Sequence, residues 1–434
     1  MSGFVAKEPL PKTAEVVIIG GGVNGCSLAY HLAKKGLRDI VLLEKDYLAS
    51  GGTGRSAAGI RHQFGTEINI RLSTASIKLL EGLKEETGYS GDLEINQGGY
   101  LMVAYTESQE NQLKKNIALQ NSLGIASRYI TPQEIHAIVP ALNLAGVRGA
   151  SFYERDGHAN PFHVTLAYAE AAARLGVKIF TYTEVTGIKL YDPARGVIID
   201  RSNSGGSNPP ASAADAAAAG NLPSFTLPPA FDHPLTVHEV VTTRGSIFTP
   251  RVVNVAGAHG LLIGRMVGLE LPIVAERHQI LVTEPVDPLI KPMIISFDYG
   301  TYCKQEPHGG IVMGVGDPQE LKGFSVRSSW QFLQEVSTRI TNLLPVLKGV
   351  RLLRQWAGLY DITPDAQPIL GEVPEIKGFY NIVGFSGHGF MLGPIIGKLM
   401  ADLILGEEPA LPIHRILDLG RFARGELIRE PAVV

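Results

Sequence analysis

Cysteine is nearly missing. The 434 residues hold two, Cys26 and Cys303, far apart in the chain. They form no CxxC pair and no zinc-ligand spacing, so neither a disulfide framework nor a zinc module is expected. Charge of one sign is lacking too. The formal net charge is -3, which argues against a nucleic-acid binder, since such a surface needs a basic excess. No apolar run approaches the roughly 20 residues of a membrane span. The most apolar stretch, 379–405, is broken by His388, Lys398 and several glycines. The run Val16-Val17-Ile18-Ile19 is too short for a signal sequence and ends in glycine rather than a cleavage site, so a cytoplasmic protein is expected. What remains is a composition with 45% hydrophobic and 19% charged residues, ordinary for a globular chain and long enough for two or three domains.

Residues 15–47 carry the richest local pattern. Glu15 to Ile19 reads as a strand covered on both faces. Cys26 to Lys35 has apolar residues at helical spacing, with Gly36 placed to stop it, and Ile40 to Leu43 reads as a second buried strand. Between them stands Gly20-x-Gly22-x-x-Gly25, enclosing Val23 and Asn24. The first glycine permits a tight turn. The second lets the backbone approach a pyrophosphate, and the third lets helix and strand pack closely. The free N–H groups of the helix start would then face the phosphates. Glu44, followed by Lys45, ends the second strand, where a carboxylate accepts both ribose hydroxyls and repels a 2′-phosphate. The pattern predicts a bound dinucleotide without separating FAD from NAD. No second fingerprint follows, as a flavoprotein that also binds NAD would often show. Further glycine-bearing strand ends do appear, at Ala256-Gly257 and Ser386-Gly387-His388-Gly389, and these suit a flavin dinucleotide held across several strand ends.

Further along, helices are expected over 67–86, 161–175, 328–344 and 394–405. Strands are expected over 95–104, 147–153, 177–183, 239–243, 246–249, 251–255, 271–283, 310–316 and 379–385. The segment 202–235 is rich in Ser, Gly, Ala and Pro, and reads as an inserted flexible loop, with a partner-docking arm as the alternative.

Five motifs in order resemble the D-amino-acid-oxidase-like family of FAD enzymes, in its sarcosine oxidase, glycine oxidase and dye-linked proline dehydrogenase branch. They are Gly20–Gly25 with Glu44; Gly52-Thr53-Gly54-Arg55-Ser56 with Gly59-Ile60-Arg61-His62; Val255-Ala256-Gly257-Ala258; Trp356-Ala357-Gly358 with Thr363-Pro364-Asp365 and Pro368-Ile369-Leu370-Gly371; and Gly384-Phe385-Ser386-Gly387-His388-Gly389-Phe390. The likeness spans nearly everything outside 202–234. It implies an α/β fold in which a Rossmann-like FAD-binding domain (13–92, 147–201, 236–270, 352–418) is interwoven with a mostly antiparallel β substrate domain (93–146, 271–351). It implies oxidation of the C–N bond of a small amino acid or N-alkyl amino acid, sarcosine-, glycine- or proline-like, by hydride transfer to flavin N5. Oxygen or another carrier would take the electrons.

The resemblance assigns Arg61 to the substrate carboxylate, a task that suits a planar guanidinium fork; an Arg held on a structural carboxylate is the alternative. Gly52, Thr53, Arg55 and Ser56 would lie under the pyrophosphate and flavin, with Val185 at the adenine. Gly387, His388, Gly389, Phe390 and Met391 would face the flavin pyrimidine. There, positive potential stabilises the anionic reduced ring, and His388 adds a side-chain donor. Tyr360 and His278 are further pocket candidates; either serves equally as packing. Relatives that bind flavin covalently do so at positions that here hold Gly358 and Ser56, so non-covalent FAD is expected. Met391 replaces a carboxylate-assisting lysine of monomeric sarcosine oxidase, which favours the proline-dehydrogenase-like or heteromeric branch and a hetero-oligomer with other subunits. No metal is expected. Two other functions stay open: a 2-hydroxy-acid dehydrogenase on the same fold, and a FAD-binding assembly subunit without catalysis.

Overall fold

Val16–Ile19 (β1) is buried at every position and pairs in parallel with Ile40–Leu43 (β2) on one side and with Val252–Asn254 on the other. The helix Val23–Lys34 (α1) links the two strands as a crossover. An apolar run this short can satisfy its backbone only in a sheet covered on both faces, and that is where the chain puts it. The computed structural model describes residues 8–201, 233–317, 319–320 and 322–431.

Among the described residues the first sheet has ten strands. Its main path runs 197–200, 185–192, 235–242, 376–383, 252–254, 16–19, 40–43, 178–180, with 245–248 and 369–373 attached at the side. The five strands from 376–383 to 178–180 are parallel neighbours, and the other half is largely antiparallel. Helices α1, Glu67–Glu81, Pro161–Arg174 and Gly389–Ile404 cover one face around a continuous apolar core.

The second sheet has eight strands, in the order 352–362, 274–283, 311–315, 301–305, 293–296, 100–104, 149–153, 128–130. All its pairs are antiparallel except 293–296 with 100–104. The strands 149–153 and 352–362, which the sequence reading groups with the nucleotide part, lie in this sheet. Alternate side chains sort to its two faces. Leu101, Val103, Leu281, Ile294, Cys303 and Met313 pack under the helix Trp330–Leu343, whereas Tyr100, Met102, Ile280, Met293, Ile295 and Tyr302 form the opposite face.

Several elements depart from the expected bounds. α1 starts at Val23, because the third glycine of the fingerprint lies inside the helix. The helix expected over 67–86 breaks at Gly82 into Glu67–Glu81 and Leu83–Thr87. The strand expected over 95–104 forms only over Tyr100–Ala104, after Gly99 at φ +99°. The last long helix begins at Gly389 rather than Pro394, which sits inside it. An internal proline forfeits one helical hydrogen bond. Close packing offsets the loss: a Cβ on Gly393 would lie 2.9 Å from Val23, and one on Gly397 2.3 Å from the Ser27 hydroxyl. The helix Glu107–Ser122 had no counterpart in the sequence reading. Its apolar stripe is thin, and the signal for it is the capping box of Thr106 and Gln109. The expected loop over 202–235 lies outside the described residues up to 232; Leu235 opens a strand. No helix among the described residues is long and apolar enough to cross a membrane.

Candidate active site

Backbone crowding dictates the glycines of the nucleotide end. Gly20 sits at φ +122°, and a Cβ there would lie 2.3 Å from the Val255 carbonyl oxygen. A Cβ on Gly25 would lie 2.0 Å from the Gly20 oxygen, and one on Gly22 3.0 Å from Thr53 Oγ1. The turn thereby gathers β1, the start of α1, the Val255-Ala256-Gly257 strand end and the Gly52–Arg55 helical turn. Val23 N–H, the first of α1, donates to Thr53 Oγ1 at 3.2 Å, and the N-cap residue Gly22 adds no side-chain cap. Glu44 accepts from Gly21 N–H at 2.8 Å and from Asp46 N–H at 2.9 Å; burial raises its carboxyl above the usual range. The chain leading to Val185 passes beside it, since Thr183 N–H donates to the Glu44 carbonyl at 2.8 Å. Lys45 Nζ stands 3.1 Å from His259 Nε2. Asn24 Nδ2 donates to the Gly389 carbonyl at 3.2 Å and ties the two glycine segments together, while its Oδ1 is buried without a partner among the described residues.

Arg55 behaves as a staple. Its guanidinium donates to the carbonyls of Ser50 and Ala357, both at 2.8 Å, and its own carbonyl accepts from Trp356 Nε1 at 3.1 Å. Ser56 Oγ donates to the Thr53 carbonyl at 2.8 Å. A Cβ on Gly358 would lie 3.1 Å from that of Arg55, so the glycine marks the close approach of loop and strand.

Beyond the staple opens a cavity of about 90 Å³, whose walls include Arg61, Tyr100, Met293, Tyr302, Tyr360 and His388. Ser56, Gly387, Phe390 and Met391 line it as well, and no aspartate or glutamate does so among the described residues. Three distant stretches meet here: the 56–61 segment, one face of the second sheet, and the 386–391 turn. The Arg61 guanidinium donates to the Gln63 carbonyl at 2.6 Å and lies 4.1 Å above the Phe64 ring. Asp156 fixes that segment. It accepts from His62 N–H at 2.7 Å and from Gln63 Nε2 at 2.9 Å, and His62 Nδ1 lies 2.6 Å from it. Gln63 Nε2 also donates to the Tyr100 carbonyl at 3.0 Å, and the Ser151 hydroxyl donates to Gln63 Oε1.

His388 precedes the helix Gly389–Ile404, and both its ring nitrogens are buried without a partner among the described residues. Burial, helped by the Arg61 charge, lowers its pKa to about 3. It is therefore a neutral ring at pH 7, a hydrogen-bonding group rather than an effective base. Ser386 holds the strained φ of +48°, and a Cβ on Gly387 would lie 2.6 Å from the Tyr360 ring, so the turn is shaped around Tyr360. His278 is not in the wall. It is stacked between Tyr360, at 4.5 Å, and Tyr302, at 5.8 Å, and buttresses the two rings from behind. Burial lowers its pKa to about 4.

These two imidazoles give a pH signature. An unfolded histidine takes up its proton near pH 6.5, whereas these resist until about pH 4 and 3. Below pH 6.5 the unfolded chain binds more protons, so stability falls as the medium acidifies, by up to about 1.4 kcal/mol per pH unit for each group. Melting curves between pH 7 and 4 are expected to show this slope, and His278→Gln to make it shallower.

Asp156, Gln63, Tyr100 and Tyr302 were not singled out by the sequence. Asp156 reaches Arg61's neighbours only through the pairing of Gly59–Ile60 with Gly157–His158, which no spacing along the chain announces. The alternation of Tyr100 with Met102 within one strand was the available signal for the aromatic wall.

The glycine cradle without room for a Cβ and the buried atoms of Asn24 and His388 that have no partner among the described residues fit a flavin dinucleotide. The chain belongs to the DAO family of FAD-dependent oxidoreductases, which it matches over residues 15–235 and 230–403. Its cofactor is FAD. It is 28% identical to the sarcosine oxidase β subunit of Rhodobacter capsulatus, over 98% of this chain and 92% of that one. It is 30% identical to human mitochondrial sarcosine dehydrogenase, over 96% of this chain but only 42% of that one. L-Proline dehydrogenase from P. horikoshii has the same fold, with a TM-score of 0.81 and 36% identity over 96% of this chain and 100% of that one. No cluster of potential metal ligands occurs among the described residues.

Proposed function

We propose that the chain oxidises the C–N bond of a small amino acid or N-alkyl amino acid, of sarcosine, glycine or proline size, in the cytoplasm and with FAD bound non-covalently. The observation that carries this reading is the cavity itself, where a buried guanidinium stands against aromatic walls and the turn preceding the last long helix. When bound, FAD supplies the hydride acceptor. Arg61 grips the substrate carboxylate with a planar pair of charge-assisted hydrogen bonds and fixes which carbon faces the cofactor. Tyr100, Tyr302 and Tyr360 exclude water from that carbon, and His278 keeps two of those rings parallel. The N–H groups at the start of the helix Gly389–Ile404 put a positive dipole end beside the cavity, where it would favour negative charge on a bound flavin. Gly358 and Ser56 support non-covalent attachment, since neither side chain can form a thioether or an imidazole linkage.

The β-subunit name of the Rhodobacter relative supports a hetero-oligomer, in which oxygen or another carrier drains the electrons. Anaerobic mixing of the yellow protein with sarcosine, L-proline, glycine and 2-hydroxy acids tests the reading. Bleaching of the flavin band by an amine and not by a hydroxy acid is the expected result. Bleaching by hydroxy acids alone would turn the assignment to the dehydrogenase alternative, and bleaching by none of them to the non-catalytic one.

A further inference from the structure

We infer that Glu430, near the end of the described chain, is a positioning residue for Arg61, and that the segment 421–431 latches the substrate-carboxylate site from behind. The inference rests on the carboxylate role proposed for Arg61. Glu430 is 7% exposed and accepts three hydrogen bonds from one short stretch: Gly65 N–H at 2.7 Å, the Thr66 hydroxyl at 2.7 Å and Asn69 Nδ2 at 3.0 Å. The contact is close enough to dictate sequence, because a Cβ on Gly65 would lie 2.3 Å from Pro431 Cγ.

The residue before Gly65 is Phe64, fully buried, and its ring is the surface on which the Arg61 guanidinium lies at 4.1 Å. The same ring stands edge-on to His388 at 5.8 Å. Fixing Gly65 therefore fixes the plate that sets the plane of the guanidinium. A bidentate grip on a carboxylate depends on that plane, so a tilt costs affinity without removing the charge.

The latch has its own anchor. Arg421 is fully buried and donates to both oxygens of Asp365, at 2.9 and 3.0 Å, and to the Gln367 and Leu417 carbonyls, both at 2.9 Å. Ile428 N–H donates to Asp365 as well, at 3.4 Å. Thus a tail held at Arg421 presents a carboxylate at Glu430 to the far side of the Arg61 segment. Asp156 grips the near side through His62 and Gln63.

The test uses the flavin-loaded full chain, with acetate as a carboxylate probe whose binding perturbs the flavin visible spectrum, and with KM and kcat measured for sarcosine and L-proline. Glu430→Ala is expected to weaken acetate about 10-fold and to raise KM by a similar factor, with kcat within about twofold and flavin content unchanged. Glu430→Asp is expected to recover part of the loss. If Glu430→Ala does not fold, Asn69→Ala, which removes one of the three donors, is expected to weaken acetate by about twofold to threefold. Acetate affinity and KM equal to wild type in the folded variant would overturn the latch, as would a loss confined to kcat. Arg61→Lys separates the two claims. Unchanged acetate binding in that variant ends the carboxylate reading and the latch with it. Weakened binding there, with Glu430→Ala like wild type, ends the latch alone.

Discussion

Arg61→Ala is expected to raise the KM of the amino acid substrate by roughly 100-fold while the visible flavin spectrum and the flavin content stay as in the wild type. The size follows from the bond type: two charge-assisted hydrogen bonds from a buried guanidinium are together worth about 3 kcal/mol, and each 1.4 kcal/mol is a factor of ten. Arg61 is 5% exposed, so water cannot substitute for it at the substrate. Steady-state kinetics at saturating electron acceptor measure the effect, with kcat falling less than KM rises if the residue serves mainly to hold substrate. A variant that loses flavin while keeping substrate affinity would place Arg61 under the cofactor instead.

Gly25→Ala is expected to have the largest effect at the other end of the site. The new methyl would sit 2.0 Å from the Gly20 carbonyl oxygen, and both partners are backbone held by β1 and α1. Relief requires the helix to move away from the strand, which shifts the helix start from the place proposed for the phosphates. Flavin retained through purification should drop to about a tenth of the wild-type ratio or less, because the third glycine sets the helix–strand distance that the pyrophosphate needs. The ratio of flavin absorbance to protein absorbance reports it. Gly36→Ala is a suitable control: its Cβ would meet nothing within 4 Å, so only the local strain of φ +96° is added.

The nucleotide end was legible because its determinants are adjacent in sequence. A strand, three glycines, a helix and Glu44 fall within one crossover, and the crowding that demands each glycine arises inside it, at Thr53 just beyond it, or at Val255. Arg61, Tyr360 and His388 were legible through motif resemblance, and the fold brings all three to one cavity. The remainder of the wall was hidden for a physical reason. Tyr100 and Tyr302 share a face only because 293–296 joins its neighbour 301–305 in antiparallel and also joins 100–104 in parallel, the latter a pairing made across some two hundred residues. Asp156 and Glu430 each hold one backbone N–H and polar side chains of a segment far away in the chain, contacts that no spacing along the sequence announces. His278 could be read as a pocket candidate or as packing, and its stacking between Tyr360 and Tyr302 is a contact between three strands that the sequence does not spell out. Pro394 misled, as the helix tolerates it where Gly393 and Gly397 let α1 press close.

That no carboxylate stands in the cavity wall among the described residues bears on the proposed chemistry. With a guanidinium already inside and no acidic side chain in that wall to balance a second positive charge, the proposed substrate nitrogen enters as the free base, leaving its proton in bulk water. At limiting substrate the flux through the enzyme then follows the fraction of uncharged amine, which grows tenfold with each unit of alkalinity below the amine's own pKa. Acidification of the surrounding medium would throttle the proposed oxidation with no effector and no covalent mark involved.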